Sequence, residues 1–236
     1  MKSTRRAFPI CILGAGLGSR LKSAADAKPL ALIDGKSILS RLLDKLSPLT
    51  DGPIFCALRD ELLMGETKAN LPKRPRLSYV FVNTPSSLHT LVELIVALPK
   101  PHTPTLFLMA DTILKDSDLL AFSQFLDTLS PHECAVLTTT FVDDEKPLWV
   151  HKNAQNYVRD FNSTPAQEVT SGIYWLTPEA LEIAEEAVKA GTSKMRNFLQ
   201  KIAQNGLPIK SFVVSKTIDV DHPLDLKKAE EFLQNE

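Results

Sequence analysis

The sequence predicts an α/β protein. Short apolar runs rich in Val, Ile, Phe and Leu recur along its 236 residues, and stretches with helical periodicity separate them. That alternation is the pattern of a largely parallel sheet whose strands are joined by crossover helices. In order, strands are expected at 8–13, 54–58, 78–82, 105–110 and 134–141, the last open to an antiparallel orientation. A later strand covers 171–176, and shorter ones lie near 209–214 and 217–220.

The helices fit between these runs. Residues 37–46 place Ile38, Leu39, Leu42, Leu43 and Leu46 on one stripe, and 87–98 do the same with Leu88, Leu91, Val92 and Ile95. Each stripe needs a sheet face to cover. A helical region is also expected at 116–127. Thr177-Pro178-Glu179 reads as a cap followed by proline in the first turn, opening a helix that ends near Gly191. The last helix spans about 223–233. The proline clusters at 71–75 and 99–104 are only long enough to be connections, so one domain is expected over 1–236.

Composition excludes several classes of partner. Lys and Arg number 27 against 28 Asp and Glu, which leaves no net field to hold nucleic acid or an anionic membrane, so phosphate binding has to be local. Cys11, Cys56 and Cys134 are scattered within apolar runs and show no metal or disulfide spacing, which suits reduced core thiols and a cytoplasmic setting. The basic-then-apolar start is not expected to act as a secretory signal: FPICIL is short, no cleavage-site pattern follows it, and Arg20 and Lys22 come soon after. No apolar run approaches the ~20 residues of a membrane span. The charges at 143–146 read as a solvated turn.

Chemistry is expected first where the opening strand meets Gly14-Ala15-Gly16-Leu17-Gly18-Ser19-Arg20. Alternating glycines let the backbone turn sharply with its amides toward an anion, although a plain tight turn uses the same residues. A dinucleotide loop is the rival, but the third glycine comes one place early, and Lys28-Pro29 breaks the helix such a loop would open. Arg20 and Lys28, converging on one anion, suit a triphosphate. Asp111 ends the run from Thr105 and so projects from the carboxyl edge of a central strand, where it can hold Mg²⁺ or cap the next helix. Asp219 and Asp221 alternate on an extended segment and point the same way, with helix capping before Pro223 an open alternative for Asp221.

These residues carry a family resemblance. Ile12 to Leu21, Lys28-Pro29-Leu30 and Ile33-Asp34-Gly35-Lys36-Ser37-Ile38-Leu39 resemble the signature of the sugar-phosphate and phosphocholine nucleotidyltransferases. Leu108-Met-Ala-Asp111, Ser171 to Glu179 and Ile218 to Leu226 extend the likeness in order. The resemblance implies a three-layer α/β/α sandwich with a mostly parallel mixed sheet, similar to the GT-A glycosyltransferase fold. It implies a nucleotide-binding half over 1–120 and an acceptor-binding half over 121–236. The activity it implies is transfer of an NMP from a nucleoside triphosphate to a phosphorylated small molecule, releasing pyrophosphate.

Within that likeness Arg20 and Lys28 are the catalytic contacts to the triphosphate. Leu13, Gly14, Ala15, Gly16, Gly18 and Ser19, with Ser86 and Ser87, bind the nucleotide. Asp111, Asp219 and Asp221 hold Mg²⁺, and Gly172, Tyr174 and Trp175 meet the acceptor. The stretch Asn83 to Leu91 is similar to the phosphocholine branch and favours CTP, with Trp149, Tyr157, Tyr174 and Trp175 available to line an acceptor pocket. Ser86 and Ser87 either face the base or cap the next helix, capping being the expected role of at least one, and His89 reads as a helix-face residue. Two other readings remain: a glycosyltransferase using a nucleotide sugar, against which Asp111-Thr-Ile113 lacks a second aspartate, and a catalytically silent nucleotide-binding module.

Overall fold

The computed structural model describes residues 7–16, 21, 27–63 and 69–234. The chain runs β1 (Ile10–Leu13), a short pair β2 (Leu32–Ile33) and β3 (Lys36–Ser37), α1 (Ile38–Leu46), β4 (Ile54–Leu58), β5 (Leu77–Phe81), α2 (Ser87–Ala97), β6 (Thr105–Met109), β7 (Thr112–Ile113) and α3 (Asp116–Leu126). It continues through β8 (Cys134–Thr139), β9 (Trp149–Lys152), β10 (Val158–Asn162), β11 (Glu168–Leu176), α4 (Pro178–Lys189), α5 (Met195–Gln204), β12 (Ile209–Val214), β13 (Ile218–Asp219) and α6 (Pro223–Gln234).

Nine strands form one mixed sheet. Its parallel part has the order β5-β4-β1-β6, and β11 then packs antiparallel against β6. Beyond β11 the sheet forks: β8 and then β12 continue one branch, while β9 and β10 continue the other. The direction change falls on β11. The strand for which the antiparallel orientation was open, β8, runs the same way as β1 and is parallel to β12. Alternation along β1 divides the core. Ile10 and Ile12 join Leu39, Leu42 and Leu43 of α1 and Phe122 of α3 on one face, while Cys11 and Leu13 meet Leu91 of α2, Leu181 of α4 and Phe198 of α5 on the other. The result is a three-layer α/β/α sandwich.

Local signals account for the helix starts. Ser37 caps α1, its hydroxyl accepting the Ser40 N–H at 3.2 Å, and Ser86 caps α2 in the same way through His89 N–H at 3.4 Å. Thr177 sits at the N-cap position of α4 but makes no side-chain cap bond there; the proline that follows sets the first turn. The hairpin β9–β10 and the helix α5 were not expected from the sequence.

A third, smaller core lies beneath the carboxyl edge of the sheet. Ile33, Ile38, Ile113, Ile218, Val220, Ala229 and Phe232 pack together there and seat α6 against the two-stranded ribbons β2–β3 and β7–β13. Among the described residues, no helix is long and apolar enough to cross a membrane.

Candidate active site

Strand β1 pairs with β4 on one side and β6 on the other, so the connections leave in opposite directions and open a crevice at the carboxyl ends of β1 and β6. Gly14, Ala15 and Gly16 leave β1 at this edge. Gly14 is required by packing: a Cβ there would lie 2.9 Å from Ala57 O and 3.0 Å from Leu58 Cδ2. Its N–H donates to Ala57 O at 2.9 Å, so it is committed to the sheet rather than to a phosphate. Leu13 and Ala15 are buried, and only Gly16 of these residues is open to solvent. Gly18, Ser19 and Arg20 lie outside the described residues.

Two acidic segments far apart in sequence are pinned together by the ribbon β7–β13, in which Thr112 faces Asp219 and Ile113 faces Ile218. One further backbone bond, Val220 N–H to Asp111 O at 3.1 Å, extends the pairing. Asp111, Asp219 and Asp221 therefore share one locality.

Lys28 opens a single 3-10 turn, Lys28–Leu30, whose Pro29 is buried. Its ammonium pairs with both Asp111 Oδ2 and Asp221 Oδ1, and its side chain is only 14% exposed. Burial alone would lower its pKa, but the charges and hydrogen bonds of the two carboxylates outweigh that and raise it, so the lysine stays protonated. Asp221 thus directs a carboxylate oxygen to Lys28, while the amides of Asp221 and His222 are held by Asp225 Oδ2 at 3.1 and 2.8 Å.

The Asp219 Oδ1 atom lies 2.9 Å from the Thr112 hydroxyl, which is also 3.2 Å from Ser171 O; one proton serves both. Although Asp219 as a residue is open where it borders the cavity, the protein packed around its carboxyl and the nearby Asp111 and Asp221 charges push its pKa up. The Thr112 bond and the Lys28 charge oppose that shift. Crowded carboxylates of this kind favour a cation among them. Among the described residues no closed group of three or more such ligands forms. The donor set is instead an open edge of hard oxygens, which fits Mg²⁺, since that ion takes one or two carboxylates and completes its shell with phosphate and water oxygens.

A cavity of about 620 Å³ extends from this edge. Ser86, Ser87, Met109, Gly172, Tyr174, Asp219 and Asp221 border one part of it, and Phe141, Asp143 to Leu148 and Ser193 to Arg196 border the rest. Ser86 both caps α2 and faces the cavity. His89 Nδ1 stays on α2, 2.9 Å from the Ser86 hydroxyl. Gly172 adopts φ +75°, and a Cβ there would fall 2.8 Å from Met109 Cγ. Tyr174 is buried with its side chain reaching the cavity; burial and the neighbouring Asp219 charge raise its phenol.

Trp175 does not join them. Being next to Tyr174 on β11, it points to the opposite face, where it is 2% exposed and packs edge-on against Phe8 at 5.2 Å between ring centres. Trp149 and Tyr157 also lie away from the cavity, Tyr157 being hydrogen-bonded to Glu133. The charged segment 143–146 is exposed, as expected of a solvated turn, and its residues are also part of the cavity wall. So are Phe141 and the approach to α5, which the sequence reading did not single out.

The sequence model of the MobA-like NTP transferase domain matches residues 10–174. The chain belongs to that family. It is a nucleotidyltransferase, and the conserved-fold comparison agrees: the inositol-1-phosphate CTP transferase of T. maritima superposes with a TM-score of 0.76 at 15% identity, covering 96% of this chain and 98% of the other. A nucleoside-diphosphate-sugar pyrophosphorylase from Vibrio cholerae RC9 gives 0.68 at 14% identity over 94% and 99%. HddC from Yersinia pseudotuberculosis gives 0.71 at 20% identity over 95% and 99%. At these identities the likeness is one of fold. No curated protein matches the nucleotidyltransferase in sequence.

Proposed function

We propose that this nucleotidyltransferase moves an NMP from a nucleoside triphosphate onto the phosphate of a small polyol phosphate, with Mg²⁺ as its metal. The observation that carries this reading is the meeting of Lys28 and Asp111 with Asp221, which together with Asp219 borders a cavity whose volume lies within the usual range for small-molecule sites. Asp111 and Asp219 would hold the metal, with Asp221 beside them. Bound there, Mg²⁺ would neutralise charge on the triphosphate.

The protein's own groups supply position and charge. Lys28 is a protonated cation shared by two carboxylates, so an incoming triphosphate draws its ammonium toward phosphate oxygens without having to change its protonation. Gly16, past the end of β1, leaves an open backbone approach, and Arg20 joins on the strength of the sequence motif. A phosphate oxygen of the acceptor, already ionised, attacks the α-phosphorus in line. The new P–O bond forms as the α–β P–O bond breaks, and pyrophosphate leaves with the electron pair. No general base is needed, so positioning and electrostatics carry the catalysis.

The cavity wall favours a polyol over a choline-like acceptor. A quaternary ammonium needs several aromatic faces, whereas among the described residues only Phe141 and Tyr174 are aromatic there, accompanied by the hydroxyls of Ser86, Ser87, Thr139, Thr170 and Ser193. The T. maritima neighbour is named for inositol-1-phosphate and CTP, which makes CTP the first triphosphate to try. The buried free thiols of Cys11, Cys56 and Cys134 suit a cytoplasmic setting. The test is pyrophosphate release from each of CTP, UTP, GTP, ATP and dTTP with Mg²⁺ and a panel of inositol phosphates, sugar 1-phosphates and phosphocholine. Release is expected with one triphosphate and a polyol phosphate. Release with phosphocholine alone would overturn the acceptor class, and none with any pair would overturn the transfer.

A further inference from the structure

The segment between β8 and β9 walls the outer part of the cavity, and two cross-links fix it. Arg196, at the start of α5, donates to Lys146 O at 2.9 Å, and Lys228 of α6 pairs with Asp143 at 2.7 Å. Lys228 is also 3.2 Å from Asp225 Oδ1. The other oxygen of Asp225, a residue only 9% exposed, accepts the amides of Asp221 and His222. Asp221 in turn pairs with Lys28, and Lys28 with Asp111. An unbroken run of polar contacts therefore leads from the cavity wall to the lysine at the phosphate edge.

We propose that Asp225 and Lys228 are positioning residues: Asp225 fixes the backbone that aims the Asp221 carboxylate at Lys28, and Lys228 ties this arrangement to the acceptor-side wall through Asp143. The functional half of this rests on the nucleotidyl-transfer reading above. The physical case is that Asp225, in the first turn of α6, reaches back to bind the two amides just before the helix with one oxygen, and its other oxygen is held by a lysine shared with the wall. Loosening the Lys228 link frees the Asp225 carboxylate that holds the Asp221 amide, and small displacements at the phosphate edge are costly to a reaction that depends on alignment. Acceptor binding against Asp143 to Lys146 then completes the geometry at the phosphates.

Two measurements on the full chain test this. Without substrates, amide exchange followed by NMR should show Asp221 and His222 exchanging about tenfold faster in Lys228→Met and near the wild-type rate in Lys228→Arg. Unchanged rates in Lys228→Met would break the link. With a productive substrate pair, Asp143→Asn and Lys228→Met should each lower kcat about tenfold with little change in KM for the triphosphate, and Lys228→Arg should restore most of it. A lower melting temperature with kcat intact would reduce both residues to a structural role and overturn the proposal. Wild-type protein that turns over no pair would count against the transfer reading, and the exchange rates would still decide the contact chain.

Discussion

Lys28 concentrates the chemistry at the residue scale. Its ammonium is held by two carboxylates that would otherwise repel, and in the function proposed above it meets the triphosphate. Replacement by methionine keeps the length and removes the charge. Initial rates of pyrophosphate release should then fall by about 10²–10³-fold in kcat, the range for losing one group that stabilises developing charge; a change below tenfold would remove Lys28 from catalysis. Gly172 is fixed by both space and conformation, since a Cβ would meet Met109 Cγ at 2.8 Å and Thr112 Oγ1 at 3.0 Å at a φ of +75°. Gly172→Ala should cost about 1–3 kcal/mol in urea unfolding. That Lys28, Asp111 and Asp221 meet, with Asp219 nearby, was legible because each belongs to a short motif: Asp111 and Asp219 at strand ends, Lys28 in a Lys-Pro turn. Trp175 misled for a physical reason: adjacent residues on a strand face opposite ways, so Tyr174 and Trp175 cannot both enter one pocket. Gly14 was ambiguous for another, because close packing and phosphate approach both select glycine.

Among the elements, the strands with continuous apolar sequence were readable and those with mixed composition were not. Trp149–Lys152 and Val158–Asn162 carry His, Lys, Arg, Asp and Asn, and their identity as a hairpin comes from pairing with each other and packing under α5. Helix α5 buries Phe198, Leu199 and Ile202, but Lys194 stands at its N-cap without a side-chain cap, so no start signal marks it. Glu133, at the entrance to β8, joins three elements through Tyr157, the Ser130 N–H at 2.8 Å and Lys210 at 3.4 Å. Burial pushes this carboxyl up, yet the bonds from Tyr157 and Ser130 and the charge of Lys210 prevail and hold it down at about 2, against an ordinary 4.5. A depressed carboxyl stabilises the folded state above its unfolded pKa, and that contribution is lost as pH falls through the folded value. Wild-type protein should therefore lose stability relative to Glu133→Gln between about pH 4.5 and pH 2, as read from urea midpoints. Parallel pH profiles would contradict the assignment.

For the whole molecule, the fold class and the order of motifs were legible, and the way the site closes was not. Nothing local says that β11 reverses direction, or that a ribbon of two residues from each of β7 and β13 brings Asp219 to Thr112 across 107 positions. Those are long-range pairings, selected by the small core around Ile113, Ile218 and Phe232. The same closure sets the exposed charge run near 145 along the cavity. Its functional meaning is most directly tested by ³¹P NMR of a reaction containing the protein, Mg²⁺, CTP and an inositol phosphate. The account predicts a new diphosphate diester and free pyrophosphate appearing in equal amounts. Inorganic phosphate accumulating without the diester would show hydrolysis instead and contradict it.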